Sequence, residues 1–437
     1  MFDYSSKKIT IEQALDMVKD NDLITVGMAA AEPVEFLNKL HTIADRVKDV
    51  TITSCLPTVI GDYLKEENIL KAFKLESWFY SPIVRKLQKT GRVSFLPNNL
   101  HFAAKKRNMH RTSNIMICSA TMPDENGRVR FSAGNVYEEE VGKLADTVIL
   151  EITPNVPYSE GDNYIEWDDI DYVIECDYYL PALPDAEPSE KDRVIGKYIA
   201  DLINDGDCIQ VGIGGIPNAV CAELHGKKDL GVHTEMMTTG IMRLMKAGVI
   251  NNSKKQMNTG KTVFGFAYGS QEMYDFMNHN PDLLVKRGNW VNDPYVIAQN
   301  DNQVSINTSV EIDLTGQCCS ESIGHMQISG SGGQADTAIG AQNSKNGRSI
   351  IALYSTAMAK NPQTGEREEV SKIVPTLKPG AAVTLSRNDV NWVVTEYGAV
   401  NLCGTTVRER TELLISIAHP KFRDELRKTA HDLQFWI

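Results

Sequence analysis

The order of apolar and polar positions is the same at the beginning of the chain and near its middle. The first stretch predicts an amphipathic helix, whose apolar face consists of Ile11, Ala14, Leu15 and Val18. Thr10 and Gln13 have the spacing of a capping box at the start of this helix. Ser189 and Asp192 begin a second predicted helix, whose apolar face consists of Val194, Ile195, Tyr198, Ile199, Leu202 and Ile203. We therefore expect two helices that begin in the same way.

Each of these helices is followed by a short strand, a loop of small residues, a proline and another apolar-faced helix. The predicted strands end at Gly27 and Gly212, an offset of 212 − 27 = 185 residues. A further strand follows each unit, at residues 50–54 and 232–235. Such an ordered series indicates an internal repeat. The alternation of helices and strands predicts two similar open α/β domains with largely parallel sheets.

The boundary between the two domains is predicted within residues 181–188, where three prolines interrupt any helix or central strand. We accordingly place one α/β domain at residues 1–186 and a second at residues 187–437. The second domain is richer in strands, which we predict at Lys261–Ala267, Val304–Leu314, Ile350–Tyr354, Ala381–Leu385 and Trp392–Thr395. A final helix is expected from Val407 to Ala418.

Composition and charge disfavour several functional classes for this protein. Lys and Arg number 45 against 57 Asp and Glu, and the resulting net charge of −12 disfavours general binding of nucleic acid. No apolar run approaches the roughly 20 residues of a membrane span, and the N-terminus shows no signal-peptide pattern. The eight cysteines and nine histidines have no spacing typical of a metal site. We therefore expect a cytoplasmic protein without a metal, and no binding to membranes or nucleic acid.

A glycine-rich loop between a predicted strand and a predicted helix is the first candidate site. Residues 211–217 read Val-Gly-Ile-Gly-Gly-Ile-Pro, and exposed N–H groups in such a turn suit a phosphate. A tight turn that needs glycine only for its dihedral angles is the alternative. Glu235 ends the next strand, so both features should lie at the carboxyl edge of the sheet. A nicotinamide-binding domain has a similar arrangement, but Pro217 stands in place of its third glycine and disfavours it.

A second glycine cluster occupies residues 329–334, Ser-Gly-Ser-Gly-Gly-Gln, before a helix predicted from Ala335. Backbone amides in such a turn can bind an oxyanion. A flexible turn is the alternative. Two glycine loops and a strand-end acid in one domain indicate a binding site more strongly than any one of them alone.

Several longer motifs resemble a known family. They are Gly212–Val220, Gly231–Met236, Gly330–Gln334, Ser371–Pro375, Val394–Gly398 and Ile417–Pro420 in the second half, and Ala31–Pro33 and Met122–Gly127 in the first. In their order, over nearly the whole chain, they are similar to 4-hydroxybutyrate CoA-transferases, butyryl-CoA:acetate CoA-transferases and acetyl-CoA hydrolases. The resemblance implies two domains of the family I CoA-transferase type, NagB/RpiA-like in fold, with the active site at the domain interface.

The resemblance also implies which residues form the site. The family's catalytic glutamate falls on Glu235, and its CoA-binding loop falls on Gly212, Ile213, Gly214, Gly215 and Ile216. Its second glycine loop falls on residues 330–333, where we expect Gly330 and Gly332 to contact CoA. We expect the amides of Gly332 and Gly333 to stabilise oxyanions. Cys55 and Leu56 stand near the equivalent of Glu235 in the first half, so only the second half is expected to carry the nucleophile.

The resemblance implies a ping-pong CoA-transferase that moves CoA between 4-hydroxybutyryl-CoA or butyryl-CoA and acetate. The intermediate would be a glutamyl-CoA thioester on Glu235. CoA is then a substrate and no cofactor is permanently bound, while the partners are acyl-CoA and short carboxylic acids. A homodimer or higher homo-oligomer is a family-level expectation. The alternatives are an acyl-CoA hydrolase, an NAD-dependent oxidoreductase and a non-catalytic sensor of sugar phosphates or acyl-CoA.

Some single residues carry further hypotheses. Asn307 either orients Glu235, binds the acyl carbonyl or caps a turn. His233 shares a strand face with Glu235 and either tunes that acid or packs in the core. Glu396 ends a predicted strand. It either lies near the site or forms an ion pair on the surface. Two basic residues are candidates to bind the phosphates of CoA, Lys372 and Arg387. The alternative is that their side chains are simply solvated. Candidates to line the pocket, with core packing as the alternative, are Met28, Ala30, Met122 and Tyr268.

Overall fold

Two large, mainly parallel sheets organise the fold in a computed structural model that describes residues 2–361 and 364–435. The first sheet has seven strands and the second has eight, and each sheet is built from one half of the chain. The prediction of two similar α/β units with largely parallel sheets is therefore confirmed. The division between residues 186 and 187 stays a prediction.

The first half forms the first sheet. Its strands are β1 (Leu23–Val26), β2 (Val50–Ser54), β3 (Phe73–Ser77), β4 (Val93–Phe95), β5 (Ile115–Ala120), β6 (Val129–Arg130), β7 (Thr147–Ile152), β8 (Tyr164–Ile165) and β9 (Tyr172–Glu175). Its helices are α1 (Ile11–Met17), α2 (Val34–Lys39), α3 (Glu66–Lys71), α4 (Pro82–Leu87), α5 (Ala103–His110) and α6 (Glu138–Gly142). The sheet has the order β4-β3-β2-β1-β5-β7-β9, with every neighbouring pair parallel.

The second half forms the second sheet and three small ribbons. Its strands are β10 (Cys208–Val211), β11 (Gly231–Met237), β12 (Thr262–Ala267), β13 (Leu283–Val285), β14 (Gln303–Thr308), β15 (Glu311–Asp313), β16 (Cys318–Cys319), β17 (Ser322–Ile323), β18 (Met326–Gln327), β19 (Arg348–Ala352), β20 (Thr356–Lys360), β21 (Arg367–Ser371), β22 (Ile373–Val374), β23 (Trp392–Thr395) and β24 (Gly398–Asn401). Its helices are α7 (Glu190–Asp201), α8 (Gly215–Glu223), α9 (Thr239–Lys246), α10 (Gln271–Met277), α11 (Gly288–Val291), α12 (Pro294–Ile297), α13 (Gln334–Asn343), α14 (Val407–Ser416) and α15 (Arg423–Asp432). The large sheet has the order β13-β12-β11-β10-β14-β19-β23-β24, and only β24 is antiparallel to its neighbour.

The two sheets correspond strand by strand. The central strand of the first, β1, matches β10 in the second, and β2, β3, β4, β5, β7 and β9 match β11, β12, β13, β14, β19 and β23. Both central strands are buried along their whole length, as strands inside a parallel sheet are. In each sheet, the strands that follow the central strand in the chain are added first on one side of it and later on its other side. Open α/β sheets bind ligands at the carboxyl edge beside such a reversal.

Some predictions of individual caps and strands are confirmed by the structure, and others are wrong. Both capping boxes are present, at Thr10 and at Ser189. The single strand predicted at 304–314 is wrong, because Ser309 bonds through its Oγ to the carbonyls of Glu311 and Cys319 and the chain turns there. It continues as β15, which pairs with β16 and β22 outside the large sheet. The strand predicted at 381–385 is also wrong, since this segment makes only an isolated bridge at Leu385.

Apolar packing joins the two halves. One buried cluster contains Met28, Cys55 and Trp78 from the first half together with Met236 and Phe266 from the second. The halves therefore share a core at their boundary. Within the described residues, no helix is long and apolar enough to cross a membrane. The same residues contain no cluster of His, Cys, Asp or Glu arranged to hold a metal ion.

Candidate active site

A cavity of about 470 Å³ lies between the two halves of the chain. From the first half it is lined by Met28, Cys55, Leu56, residues 79–82, Arg85 and Leu100. From the second half it is lined by residues 210–213, Pro217, Glu235, Met236, Phe266, residues 306–310, Ser320 and residues 328–334. The ends of β10, β11, β12 and β14 reach this cavity, as do the segments that follow β10 and β14. It therefore lies at the carboxyl edge of the second sheet, where the sequence predicted a site.

Glu235 is the single carboxylate among the described residues that line the cavity. It lies near the carboxyl end of β11 and is partly exposed to the cavity. Desolvation by the surrounding protein raises the pKa of Glu235 to about 7, and the charge of nearby Asp336 adds to this rise. At neutral pH the carboxyl group is therefore divided between its protonated and ionised forms.

Two groups hold the Glu235 carboxylate in place. Nδ2 of Asn292, a residue only 1% exposed, donates a hydrogen bond to Oε2 of Glu235 at 2.8 Å. The backbone N–H of Gly333 also donates to this carboxylate, and both bonds oppose the rise of its pKa because they stabilise the ionised form. A Cβ atom at Gly333 would lie 2.0 Å from Nδ2 of Asn292 and 2.0 Å from Oε2 of Glu235. Only glycine therefore fits at this position.

The second glycine loop, residues 329–333, is attached to the first half of the chain. The N–H of Leu100 donates to the carbonyl of Gly332 at 3.2 Å. A Cβ atom at Gly330 would lie 2.1 Å from the carbonyl oxygen of Trp78, so glycine allows a close approach of the two backbones. Gly332 has φ of +51°, in the left-handed region of backbone conformation that glycine adopts most easily. The loop thus links the first half to the carboxylate on the second.

The first glycine loop divides into a part that faces the cavity and a part that shapes the turn. The cavity is lined by Gly212 and Ile213. Gly214 has φ of +118°, a conformation that favours glycine. A Cβ atom at Gly215 would lie 2.6 Å from Oδ2 of Asp192, the third residue of α7, so this glycine allows α7 and α8 to approach. Ile216 is buried in the core. Ligand contact is thus expected at residues 212–213, and residues 214–216 shape the loop.

Asn307 lines the cavity near the end of β14. Its Nδ2 donates to Oγ of Ser305 at 2.9 Å and to Oγ1 of Thr337 at 3.1 Å. The hydrogen bond to Glu235 that we considered for Asn307 comes from Asn292 instead. Contact between Asn307 and an acyl carbonyl stays a prediction.

His233 lies on β11 two residues before Glu235 and is 1% exposed. Its Nε2 lies 2.8 Å from the carbonyl oxygen of Val291, and its ring packs against Trp290. Burial lowers the pKa of His233 to about 4, so the imidazole is uncharged at neutral pH. These contacts favour a packing role over a direct role in the cavity.

Three predicted residues lie outside the lining of the cavity: Glu396, Lys372 and Arg387. Glu396 accepts hydrogen bonds of 2.8 Å from the N–H and the Oγ of Ser355 and pairs with Lys191 at 3.1 Å. Lys372 lies 3.7 Å from buried Glu311. Both side chains are therefore engaged in ion pairs within the protein.

Both halves of the chain contribute apolar residues to the lining. Met28 lines the cavity as proposed, whereas three other candidates do not: Ala30, Met122 and Tyr268. Cys55 and Leu56, the counterparts of Glu235 in the repeat, line the same cavity from the end of β2. Asn292 and Arg85 were not predicted, because neither belongs to a motif. Asn292 reaches Glu235 from a separate element of the second half, and Arg85 reaches the cavity from the first half.

Comparisons with known proteins agree with this arrangement. The acetyl-CoA hydrolase/transferase N-terminal domain matches residues 2–183, and the C-terminal domain of that family matches residues 269–430. The 4-hydroxybutyrate coenzyme A transferase of Clostridium kluyveri is 40% identical over 97% of this chain and 97% of its own length. The succinyl-CoA:cyclohexane-1-carboxylate CoA transferase of Geobacter metallireducens is 39% identical over 98% of this chain and 96% of its own.

The fold has a close match among solved structures. RipA from Yersinia pestis, 34% identical, superposes with a TM-score of 0.89 over 99% of this chain and 98% of its own. The matched domain families cover most of the sequence, and the two curated relatives are similar over nearly all of it. The chain therefore belongs to the acetyl-CoA hydrolase/transferase family, as its motifs predicted.

Proposed function

We propose that this protein transfers CoA between a short-chain acyl-CoA, such as butyryl-CoA or 4-hydroxybutyryl-CoA, and acetate, with Glu235 as the nucleophile. The observation that supports the proposal is the Glu235 carboxylate, which is held by Asn292 and Gly333 in a cavity between the two halves and has no second carboxylate beside it among the described lining residues. The names of the relatives support the reaction class. CoA is a substrate here and no bound cofactor is needed. Action in the cytoplasm as a homo-oligomer stays a prediction.

The first half-reaction moves CoA onto the enzyme. The ionised Glu235 attacks the thioester carbonyl and forms a C–O bond. The C–S bond breaks, CoA thiolate is released, and the acyl group stays on Glu235 as a mixed anhydride. The thiolate then attacks the glutamyl carbonyl, and the first carboxylic acid leaves as its carboxylate. The product is a glutamyl-CoA thioester. A carboxylate with a pKa near 7 is more basic than an ordinary one, and this makes it a better nucleophile.

The second half-reaction reverses these steps with acetate. Acetate attacks the glutamyl thioester, and CoA thiolate leaves. The thiolate then attacks the acetyl carbonyl of the new anhydride, the C–O bond breaks, and acetyl-CoA and the free Glu235 carboxylate are formed. Each attack on the glutamyl carbonyl places negative charge on an oxygen of Glu235. The Gly333 N–H and Asn292 Nδ2 already donate to this carboxylate, so they are positioned to stabilise that charge.

Intact-protein mass spectrometry tests the proposed function directly. After incubation with butyryl-CoA and without an acceptor acid, we expect an adduct of the mass of CoA on the peptide that contains Glu235. Addition of acetate should discharge this adduct and produce acetyl-CoA. Steady release of free thiol without an adduct would identify a hydrolase instead. Absence of both an adduct and turnover with any acyl-CoA would contradict the proposal.

Asn292→Ala is expected to move the pH dependence of the reaction. Activity requires ionised Glu235, so kcat/KM should rise with pH through a midpoint near the Glu235 pKa of about 7. Removal of the Asn292 hydrogen bond destabilises the ionised form, so the midpoint should move to higher pH. At neutral pH we expect kcat/KM to fall about tenfold. Steady-state rates measured from about pH 5.5 to pH 9 would show this shift.

Asn289→Ala provides the matched control. Asn289 lies in α11, and its Nδ2 bonds to Oε2 of Glu140 at 3.1 Å on the surface. This substitution should leave the pH profile at its wild-type position. A profile for Asn292→Ala that overlies the wild type would contradict the positioning role of Asn292.

The acyl group is expected to be short and uncharged. Five residues that line the cavity belong to or pack against a single buried cluster, and we call them the apolar wall: Met28, Cys55, Leu56, Met236 and Phe266. Butyryl-CoA and succinyl-CoA have acyl chains of equal length, but the second would bring an unpaired carboxylate against this wall. Because an unpaired buried charge is costly, we expect kcat/KM for butyryl-CoA to exceed that for succinyl-CoA by about tenfold or more. Equal values would contradict this placement of the acyl group.

A further inference from the structure

Arg85 is the single cationic side chain among the described residues that line the cavity. Two basic residues farther along this segment are paired, Lys89 with Glu66 at 2.7 Å and Arg92 with Asp49 at 3.0 Å. The Arg85 guanidinium has no hydrogen bond or ion pair to any residue of the described chain, although partial desolvation lowers its pKa. A guanidinium at a cavity without a counter-charge is available to an anionic ligand.

The surroundings of Arg85 are polar. Ser81, one helical turn before Arg85, is 5% exposed, and its Oγ finds no hydrogen-bond partner within the described residues. Buried hydroxyl groups normally have partners, so a bound ligand is a suitable partner for this one. The cavity is also lined by Ser309, Ser320 and Ser329. They are linked, since Ser320 Oγ donates to Ser309 Oγ at 3.2 Å and Ser329 Oγ donates to the Ser320 carbonyl at 2.9 Å. We call these four serines the serine rim.

The serine rim gives the cavity a polar part, and the apolar wall gives it an apolar part. The apolar wall belongs to a buried cluster, whereas Arg85 is exposed at the opening. An acyl-CoA whose thioester lies at Glu235 and whose acyl chain lies at the apolar wall must extend its CoA part toward the opening. The CoA part carries phosphate groups, and the planar fork of an arginine matches phosphate oxygens.

We infer that Arg85, together with Ser81, binds a phosphate group of CoA at the opening of the cavity. This inference rests on the proposed function. It assigns a binding role to the first half of the chain, in addition to the ligand contact expected at residues 212–213 of the second half. A local cation also offsets the repulsion between a phosphate-bearing ligand and a chain of net charge −12.

Arg85→Gln tests the inference when butyryl-CoA is compared with S-butyryl-pantetheine, which lacks the phosphates. We expect the substitution to raise KM for butyryl-CoA about tenfold more than KM for S-butyryl-pantetheine. Ser81→Ala should raise KM for butyryl-CoA in the same selective way but by a smaller factor. Lys86→Gln is the matched control, because it removes a positive charge from the same helix at an exposed residue outside the cavity. Titration calorimetry with free CoA gives a second readout that needs no turnover.

The outcomes separate this inference from the proposed function. A wild-type protein that neither binds CoA nor transfers it would contradict the proposed function itself. A wild-type protein that transfers CoA, with Arg85→Gln indistinguishable from Lys86→Gln, would contradict only the phosphate assignment. An Arg85→Gln penalty that is equal for both thioesters, or that appears in KM for acetate or in the discrimination against succinyl-CoA, would assign Arg85 to a substrate carboxylate and overturn the inference.

Discussion

Glu235→Ala is expected to lower the rate of CoA transfer by roughly 10⁴-fold or more and to abolish the CoA adduct, because it removes the atom to which the acyl group and then CoA become bonded. Glu235→Gln should be equally inactive. Its side chain keeps the size of glutamate and fits beside Asn292 and Gly333, but an amide does not form the anhydride. Steady-state transfer assays and intact-protein mass spectrometry would measure both effects.

The control for Glu235 is a carboxylate that leaves the site intact. Glu223→Ala removes an exposed acid from α8, the helix that follows the first glycine loop, and should retain wild-type transfer and the adduct. Circular dichroism of the Glu235 variants should show the wild-type fold, since neither substitution introduces a larger side chain. A CoA adduct on Glu235→Gln, or transfer by it within about tenfold of the wild-type rate, would assign the nucleophile to another residue.

Gly333→Ala is expected to reduce kcat/KM by about 10²- to 10³-fold, because a displacement of reacting groups by about 1 Å is enough for such a loss. The added Cβ would lie 2.0 Å from both Nδ2 of Asn292 and Oε2 of Glu235. One of these groups must therefore move, and the hydrogen bonds that hold the carboxylate are lost. The backbone is not the obstacle, since Gly333 has φ of −97°, which alanine adopts freely.

Gly226→Ala is the matched control for Gly333→Ala. A Cβ atom at Gly226 would meet nothing within 4 Å, and its φ lies outside the left-handed region. This variant should have wild-type activity and stability. Transfer assays on both variants, with thermal unfolding to verify the fold, would measure the difference. Activity of Gly333→Ala above about a tenth of the wild-type value would contradict the close packing of the loop around Glu235.

Local patterns along the chain predicted the repeated α/β units well. Both capping boxes, the central strands that end before Gly27 and Gly212, and the helix after the second glycine cluster are present. Each of these features depends on residues within a few positions of one another, so apolar spacing and capping chemistry are sufficient to identify it. The strand predicted at 304–314 failed for the opposite reason, since β15 leaves the sheet to pair with partners farther along the chain.

The sequence by itself determined the two-unit architecture, the family, the glycine loops and the placement of Glu235 at a strand end, because short-range patterns and motifs record all of them. Only the tertiary structure decided which groups surround Glu235. Asn292 and the Gly333 backbone reach it through separate elements, and Arg85 reaches the cavity from the other half. The physical reason is that the surroundings of the carboxylate are assembled from separate elements of the second half and from the boundary with the first half. Burial, hydrogen bonds and counter-charges at such a boundary depend on contacts between residues far apart in the chain.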